Sequence, residues 1–267
     1  MDYKLITIRD GIEPSIIVVN GFLSENTNDV NDWLEIIDEL YPENRVLHYK
    51  WPSNKVKDLF GLHGKLAATL SILARSNPSL VALGIARDSI KSWASAMNNS
   101  INAGRRLAEL ISEETNGYIF MGHSLGARVS FHALLNAQEL ASIEKIYLLG
   151  GAVSNTAPWT KAIEKHPNLQ IINCFSSNDY VLKSLYKIGT LFSNKPVGLE
   201  GIQNSKTSLI YNVDLSELVK GHMDYKNSKV GRTIKNRTEV SINSGSRVKA
   251  FYVSVRKRDL ILSIFRR

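Results

Sequence analysis

A serine flanked by glycines is the strongest chemical signal in this sequence. Gly122-His123-Ser124-Leu125-Gly126 matches G-x-S-x-G, follows a short apolar run and precedes a run of helix-forming residues. In this context the pattern predicts a nucleophile elbow, a strained turn that presents the serine hydroxyl at the carboxyl end of a sheet. Gly122 and Gly126 let neighbouring backbone pass closely, and the N–H of Leu125 can face a developing oxyanion. The alternative is an ordinary glycine-rich turn between a strand and a helix.

Such a serine needs a base, and in proteins with this elbow an acid and then a histidine follow the serine along the chain. Three histidines follow Ser124. His132 lies on the predicted helix after the elbow, and His166 lies in a loop before a strand. His222 lies in a loop after the last predicted strand, so we expect it to be the base, with a surface histidine as the alternative. We expect His123 to pack rather than take part in chemistry.

The acid should lie between serine and histidine, at the carboxyl end of a strand. Asp179 follows an apolar run and the short polar turn 176–178, where a carboxylate can reach an imidazole N–H. The alternative for Asp179 is a simple Asx turn or a helix N-cap. Asp214 is the second choice, and Asp224 is too close in sequence to His222 to be preferred.

A second oxyanion donor is expected from a loop after an earlier strand. The apolar run 16–19 leads into Asn20-Gly21-Phe22, and the backbone N–H of Phe22, or with less support that of Leu23, is our candidate. The alternative is a plain turn at Gly21. No metal or organic cofactor is required by a serine, aspartate and histidine acting together.

Short apolar runs alternate with helical stretches along the chain, which predicts a mostly parallel sheet covered by helices on both faces. The expected strands are Ile16–Asn20, Val46–Tyr49, Tyr118–Met121, Lys145–Leu149, Leu169–Phe175 and Leu209–Val213. Helical spacing of apolar residues predicts helices from Asp29 to Leu40 and from Ser124 or Leu125 to Leu140.

Residues 51–117 form a long helical insertion between two strands. A connection between parallel strands needs only a dozen or so residues, so this one has room for a cap over the serine. Its leucine stripe from Leu59 to Leu73, and the residues from Trp93 to Ile111, suit an apolar acyl group. The same stripes equally suit helices that pack on a sheet.

Composition and charge exclude several classes of protein. The chain of 267 residues is 43% hydrophobic and 22% charged, which excludes whole-chain disorder and coiled coils. Its one cysteine, Cys174, excludes an internal disulfide and a multi-cysteine zinc site. Early acidity at the N-terminus and the short apolar stretch Leu66–Ala74 predict a protein with neither secretory signal nor membrane span. We therefore expect a cytoplasmic location.

The net charge of +8 is concentrated at the end of the chain. From Lys226 onward there are 12 Lys and Arg against two acids, which leaves the body at −2. We divide the chain into a domain over residues 1–240 and a basic extension over residues 241–267. The extension either touches anionic membrane surfaces or packs as an extra strand and helix. Nucleic-acid binding is not expected, because no recognition motif accompanies the charge.

The assembled motifs resemble those of the α/β-hydrolase superfamily. More narrowly, the chain resembles a lipase-like serine hydrolase family that includes the transmembrane-and-coiled-coil-domain proteins, over roughly residues 14–230. The segments that carry this resemblance are 19–24, 122–128, 173–182, 196–199 and 212–225. The resemblance implies an α/β-hydrolase fold and hydrolysis of esters, thioesters or amides. The absence of transmembrane helices departs from the eukaryotic members, and residues beyond about Ser241 match nothing in the family.

These observations predict a serine esterase that acts on lipid or other acyl esters. A catalytically silent binding module on the same fold is the alternative from another class, because fold does not guarantee activity. Acyl transfer by the same residues is a further alternative.

Overall fold

The computed structural model describes residues 3–22, 30–53, 87–112, 117–138, 142–188, 195–203 and 209–243. The strands are β1 Lys4–Arg9, β2 Ile12–Val19, β3 Asn44–Lys50, β4 Gly117–His123, β5 Ser142–Leu149, β6 Gln170–Phe175 and β7 Ile210–Asp214. The helices are α1 Asn31–Leu40, α2 Arg87–Ile111, α3 Leu125–Asn136, α4 Trp159–Lys165, α5 Tyr180–Ile188 and α6 Ser228–Asn243.

All seven strands join one sheet in the order β1-β3-β2-β4-β5-β6-β7. β1 runs antiparallel to β3, and every other neighbouring pair is parallel. The order reverses direction between β2 and β4, so the carboxyl ends of these two strands open a crevice at one edge of the sheet. The six predicted strands correspond to β2–β7. β1 was not predicted, because an edge strand has one neighbour and its alternating residues stay largely outside the core.

Both faces of the sheet are covered, because successive residues of a strand point to opposite sides. In β2, Ile17 and Val19 pack into a core cluster shared with α2, α3 and α4. Ile16 and Val18 pack into a second cluster shared with α1 and α6. The predicted α/β-hydrolase fold, with a mostly parallel sheet between helices, is confirmed.

α2 is the described part of the long insertion. Its buried residues, Trp93, Met97, Leu107 and Ile111 among them, face the sheet and α3. α2 therefore uses its apolar residues to pack against the sheet and α3. The leucine stripe from 59 to 73 lies outside the described residues, so of the insertion 51–117 expected to form a cap the structure describes chiefly α2.

Candidate active site

Ser124 occupies a strained turn between β4 and α3. Its φ is +57° and its ψ is −120°, and it is the one residue other than glycine with positive φ in the described ranges. The flanking positions leave no room for side chains: a Cβ at Gly126 would lie 2.0 Å from the carbonyl oxygen of Val19, and one at Gly122 would lie 2.5 Å from Ala127 Cα. Since an unfavourable φ/ψ persists only where surroundings enforce it, this turn has the geometry expected of a nucleophile elbow.

Asp179 and His222 form a buried pair at the same edge of the sheet. The Nδ1–H of His222 donates to Oδ2 of Asp179 at 2.7 Å, and Asp179 is fully buried while His222 is 9% exposed. The other carboxylate oxygen, Oδ1, accepts the backbone N–H of Leu182 at 2.9 Å and so caps the start of α5. The imidazole contact and the helix cap, which the sequence posed as alternatives, are therefore both present.

His222 lies beside the residue that precedes the serine. The Nε2–H of His123 donates to the carbonyl oxygen of His222 at 2.8 Å, and the two imidazole rings are 4.7 Å apart. Ser124 and His222, both described, share no direct hydrogen bond. Hydrogen bonds between nucleophile and base are often long or misaligned in enzymes without substrate, so this arrangement is compatible with proton transfer in a substrate complex.

His123 has a structural role that the sequence only partly indicated. Burial, followed by the charges of His222 and Lys226, lowers its pKa far below the ordinary histidine value, so the ring is neutral. Its one ring N–H is committed to the backbone of His222. His123 therefore holds the histidine loop against the elbow, a long-range role that no local motif signals.

The loop Asn20-Gly21-Phe22 passes directly beside the serine. A Cβ at Gly21 would lie 2.8 Å from Cβ and 3.3 Å from Oγ of Ser124. Leu125 is the first residue of α3, and the first N–H groups of a helix have no partner within the helix. The structure thus brings both expected oxyanion donors, at Phe22 and Leu125, to the same edge as the serine. The alternative donor, Leu23, lies outside the described residues.

The rejected histidines and acids make other contacts. The ring Nε2–H of His166 donates to the carbonyl of Leu134, and His132 lies on α3 beneath α2. Asp214 accepts hydrogen bonds from the backbone and hydroxyl of Ser216, two residues away. Asp224 accepts the backbone N–H of Lys220. Asp214 and Asp224 thus stabilise local turns, whereas His166 links the loop before β6 to α3.

Tyr225 is buried close to the acid and was missed by the sequence analysis. Its buried hydroxyl donates to the carbonyl of Gly198 at 3.3 Å. Burial, with the nearby carboxylate of Asp179, raises its pKa well above the ordinary tyrosine value. Gly150 makes this packing possible, since its φ is +53° and a Cβ there would lie 2.7 Å from the Tyr225 ring. The tyrosine lies three residues after His222, but one sequence alone does not distinguish it from a core residue.

The described part of the chain also bears on metal binding and on membrane insertion. It contains no cluster of three or more His, Cys, Asp or Glu side chains arranged to hold a metal ion. None of its helices combines the length and apolar character needed to cross a bilayer.

Comparisons with known proteins place the chain in a family. The family model described as "Protein of unknown function (DUF726)" matches residues 66–237. The transmembrane and coiled-coil domain-containing protein STS1 of Oryza sativa is 28% identical over 230 residues, which cover 78% of this chain and 34% of that protein. A probable lipase of Saccharomyces cerevisiae, MIL1, is 26% identical over 151 residues, which cover 51% of this chain and 13% of that protein. The matched regions thus span well under half of the length of either relative.

A solved structure with a similar outline is the α/β hydrolase domain-containing protein 10 from mouse. It is 11% identical, with a TM-score of 0.43, over 91% of this chain and 94% of that one. The resemblance to the family that includes the transmembrane-and-coiled-coil-domain proteins, inferred above from the motifs, is confirmed by the family match and by STS1. Because the family model covers well over half of its residues, the chain belongs to the DUF726 family.

Proposed function

We propose that this protein is a serine hydrolase that cleaves carboxyl esters. The observation that carries the proposal is the hydrogen-bonded Asp179–His222 pair, held by His123 beside the strained serine turn. A serine, an imidazole and a carboxylate at one edge of the sheet are the parts needed for acyl transfer to a protein nucleophile. The probable lipase among its relatives supports the same class of reaction.

In the proposed mechanism, the Oγ of Ser124 attacks the ester carbonyl while Nε2 of His222 takes the hydroxyl proton. Asp179 holds the imidazole with its proton on Nδ1 and stabilises the imidazolium that forms. The N–H groups of Leu125 and Phe22 stabilise the tetrahedral oxyanion. The imidazolium then protonates the leaving alcohol. Water, activated by the same imidazole, hydrolyses the acyl-enzyme and regenerates the serine.

The proposed substrates are lipid or other apolar acyl esters. This part of the proposal is supported by the leucine-rich composition of residues 59–73 and by the lipase-like relative. The basic extension over residues 241–267 is proposed to bring the enzyme to anionic membrane surfaces, where each basic residue near the surface contributes about 1 kcal/mol.

A fluorophosphonate probe tests the proposal directly, because it reacts with activated serines. We expect the probe to label the wild-type protein at Ser124, and we expect Ser124→Ala to abolish labelling and to lower kcat for a p-nitrophenyl ester about 10⁴–10⁶-fold. Peptide mass spectrometry locates the modified residue.

Ser154→Ala is the matched control. Ser154 follows β5 at the same edge of the sheet, where its hydroxyl contacts only Thr156 among the described residues. The control should keep full labelling and activity. Absence of label in the folded wild-type protein would instead favour a silent binding module.

A further inference from the structure

Asn20, the residue just before Gly21, is held by several buried partners. It lies at the end of β2 and is 5% exposed. The indole N–H of Trp33, from α1, donates to its Oδ1 at 2.7 Å. The indole N–H of Trp51, which follows β3, donates to its backbone carbonyl at 2.9 Å. Two separate elements therefore hold the residue that leads into the loop beside Ser124.

Two more partners fix the orientation of the side-chain amide. Nζ of Lys226 donates to Oδ1 at 3.4 Å, and Nδ2 donates to the ring Nε2 of His48 at 3.3 Å. An indole and an ammonium can only donate, so the amide oxygen must face Trp33 and Lys226. Burial, with the charges of Lys50 and Lys226, lowers the pKa of His48 to about 4, so at neutral pH its Nε2 can accept. Every polar atom of the amide therefore faces a complementary partner.

Lys226 connects this cluster to the histidine loop. It follows His222 by four residues, and its side chain is only 6% exposed. Its ammonium forms an ion pair with Asp32 of α1 and lies 5.0 Å from the centre of the Trp33 ring. We call Asn20, Trp33, His48, Trp51 and Lys226 the Asn20 cluster. It joins β2, α1, the end of β3 and the histidine loop at one point.

We propose that Asn20 is a positioning residue that fixes the backbone of Gly21 and Phe22 for stabilisation of the oxyanion. The inference rests on the proposed hydrolase function. A Cβ at Gly21 would lie 2.8 Å from Cβ of Ser124, so the loop that follows Asn20 runs close beside the serine. The buried partners of Asn20 hold the chain just before this loop, and the N–H of Phe22 lies two residues further along. A displacement of about 1 Å at such a donor is enough to cost roughly 100-fold in rate.

A comparison of ester and thionoester substrates tests this role. Sulfur is a weak hydrogen-bond acceptor, so a thionoester gains little from an oxyanion donor. We expect Asn20→Ala to lower kcat/KM for the oxygen ester by about 10–100-fold and to affect the thionoester much less, so that the ester-to-thionoester ratio falls. Trp33→Phe keeps an aromatic ring and removes the indole N–H donor, and it should lower the ratio in the same direction by a smaller factor.

Asn44→Ala is the matched control. Asn44 is also buried, donates from Nδ2 to the carbonyl of Pro14 at 3.0 Å, and begins β3 at the opposite edge of the sheet. It should lower the thermal midpoint without changing the ratio.

Two results overturn the inference. One is an ester-to-thionoester ratio in the folded Asn20→Ala and Trp33→Phe variants that equals the ratio of the wild-type protein. The other is an equal change of the ratio in Asn44→Ala. Failure of wild-type labelling at Ser124 would overturn the proposed function itself, whereas normal labelling with an unchanged ratio would remove only the role of Asn20.

Discussion

At the scale of single residues, Asp179 carries two structural duties with one carboxylate. One oxygen accepts the imidazole N–H of His222, and the other accepts the backbone N–H of Leu182. With both oxygens engaged, the carboxylate cannot rotate freely. The proton of His222 is therefore held on Nδ1, which leaves Nε2 available to accept a proton from a serine.

Asp179→Asn tests this duty because it preserves the shape of the side chain. The variant can keep an oxygen on Leu182, but it then presents an NH₂ group to His222 and favours the wrong tautomer. We expect kcat to fall by about 10⁴-fold with a much smaller loss of stability. Ester hydrolysis and thermal unfolding measure the two effects separately.

Asp214→Asn is the control, since among the described residues the carboxylate of Asp214 accepts hydrogen bonds only from Ser216. It should retain the activity of the wild-type protein. A comparable loss in both variants would contradict the assignment of Asp179 as the acid.

At the scale of elements, the contact between α2 and α3 supports the helix that begins at the serine. A Cβ at Gly104 of α2 would lie 2.5 Å from Cβ of His132 and 2.7 Å from the carbonyl oxygen of Val129. Glycine in a helix costs about 1 kcal/mol relative to alanine. Its presence in the middle of a 25-residue helix is explained by this close approach.

Gly104→Ala should therefore destabilise the protein, although alanine favours helix. We expect the free energy of unfolding to fall by about 1–3 kcal/mol because the two helices must move apart. Asn102→Ala on the exposed side of α2 is the comparison, and it should be neutral or slightly stabilising. Urea titration of both variants measures the difference. A Gly104→Ala protein more stable than wild type would show that α2 and α3 can move apart with little loss of free energy.

At the scale of the whole molecule, buried neutral histidines make stability depend on pH. Burial lowers the pKa of His48 and of His132 to about 4 from an ordinary value of 6.5. The pKa values of His123 and His166 are also lowered, in each case mainly by burial. The unfolded chain therefore binds protons near pH 6.5 that the native protein does not bind until the pH is much lower.

The free energy of unfolding should thus fall as the pH is lowered from about 6.5 towards 4. Each such histidine contributes a slope of about 1.4 kcal/mol per pH unit within that window. His132 is a useful probe because its Nε2 is buried with no hydrogen-bond partner among the described residues. His132→Leu removes one such histidine, so it should reduce the slope of the free energy of unfolding against pH by about 1.4 kcal/mol per pH unit. Urea titrations at pH 7 and pH 4.5 test this, and an unchanged slope would be inconsistent with a neutral buried His132.

Much of the fold and part of the site were predictable because their signals are local. The elbow requires glycines at fixed offsets from Ser124, and buried parallel strands appear as continuous apolar runs. Asp179 and His222 follow strand ends, so strand prediction alone brought them to one edge of the sheet. The edge strand β1 has no such continuous run and escaped prediction.

The supporting contacts of the site depended on chain folding. Asn20 and Lys226 are 206 residues apart, and His123 and His222 are 99 apart. No spacing rule links such pairs, because their meeting depends on strand order and on how loops pack at the edge of the sheet. Local patterns indicate the candidates for a nucleophile, a base and an acid. The folded chain establishes what holds them, because buried polar partners are selected by three-dimensional proximity rather than by distance along the sequence.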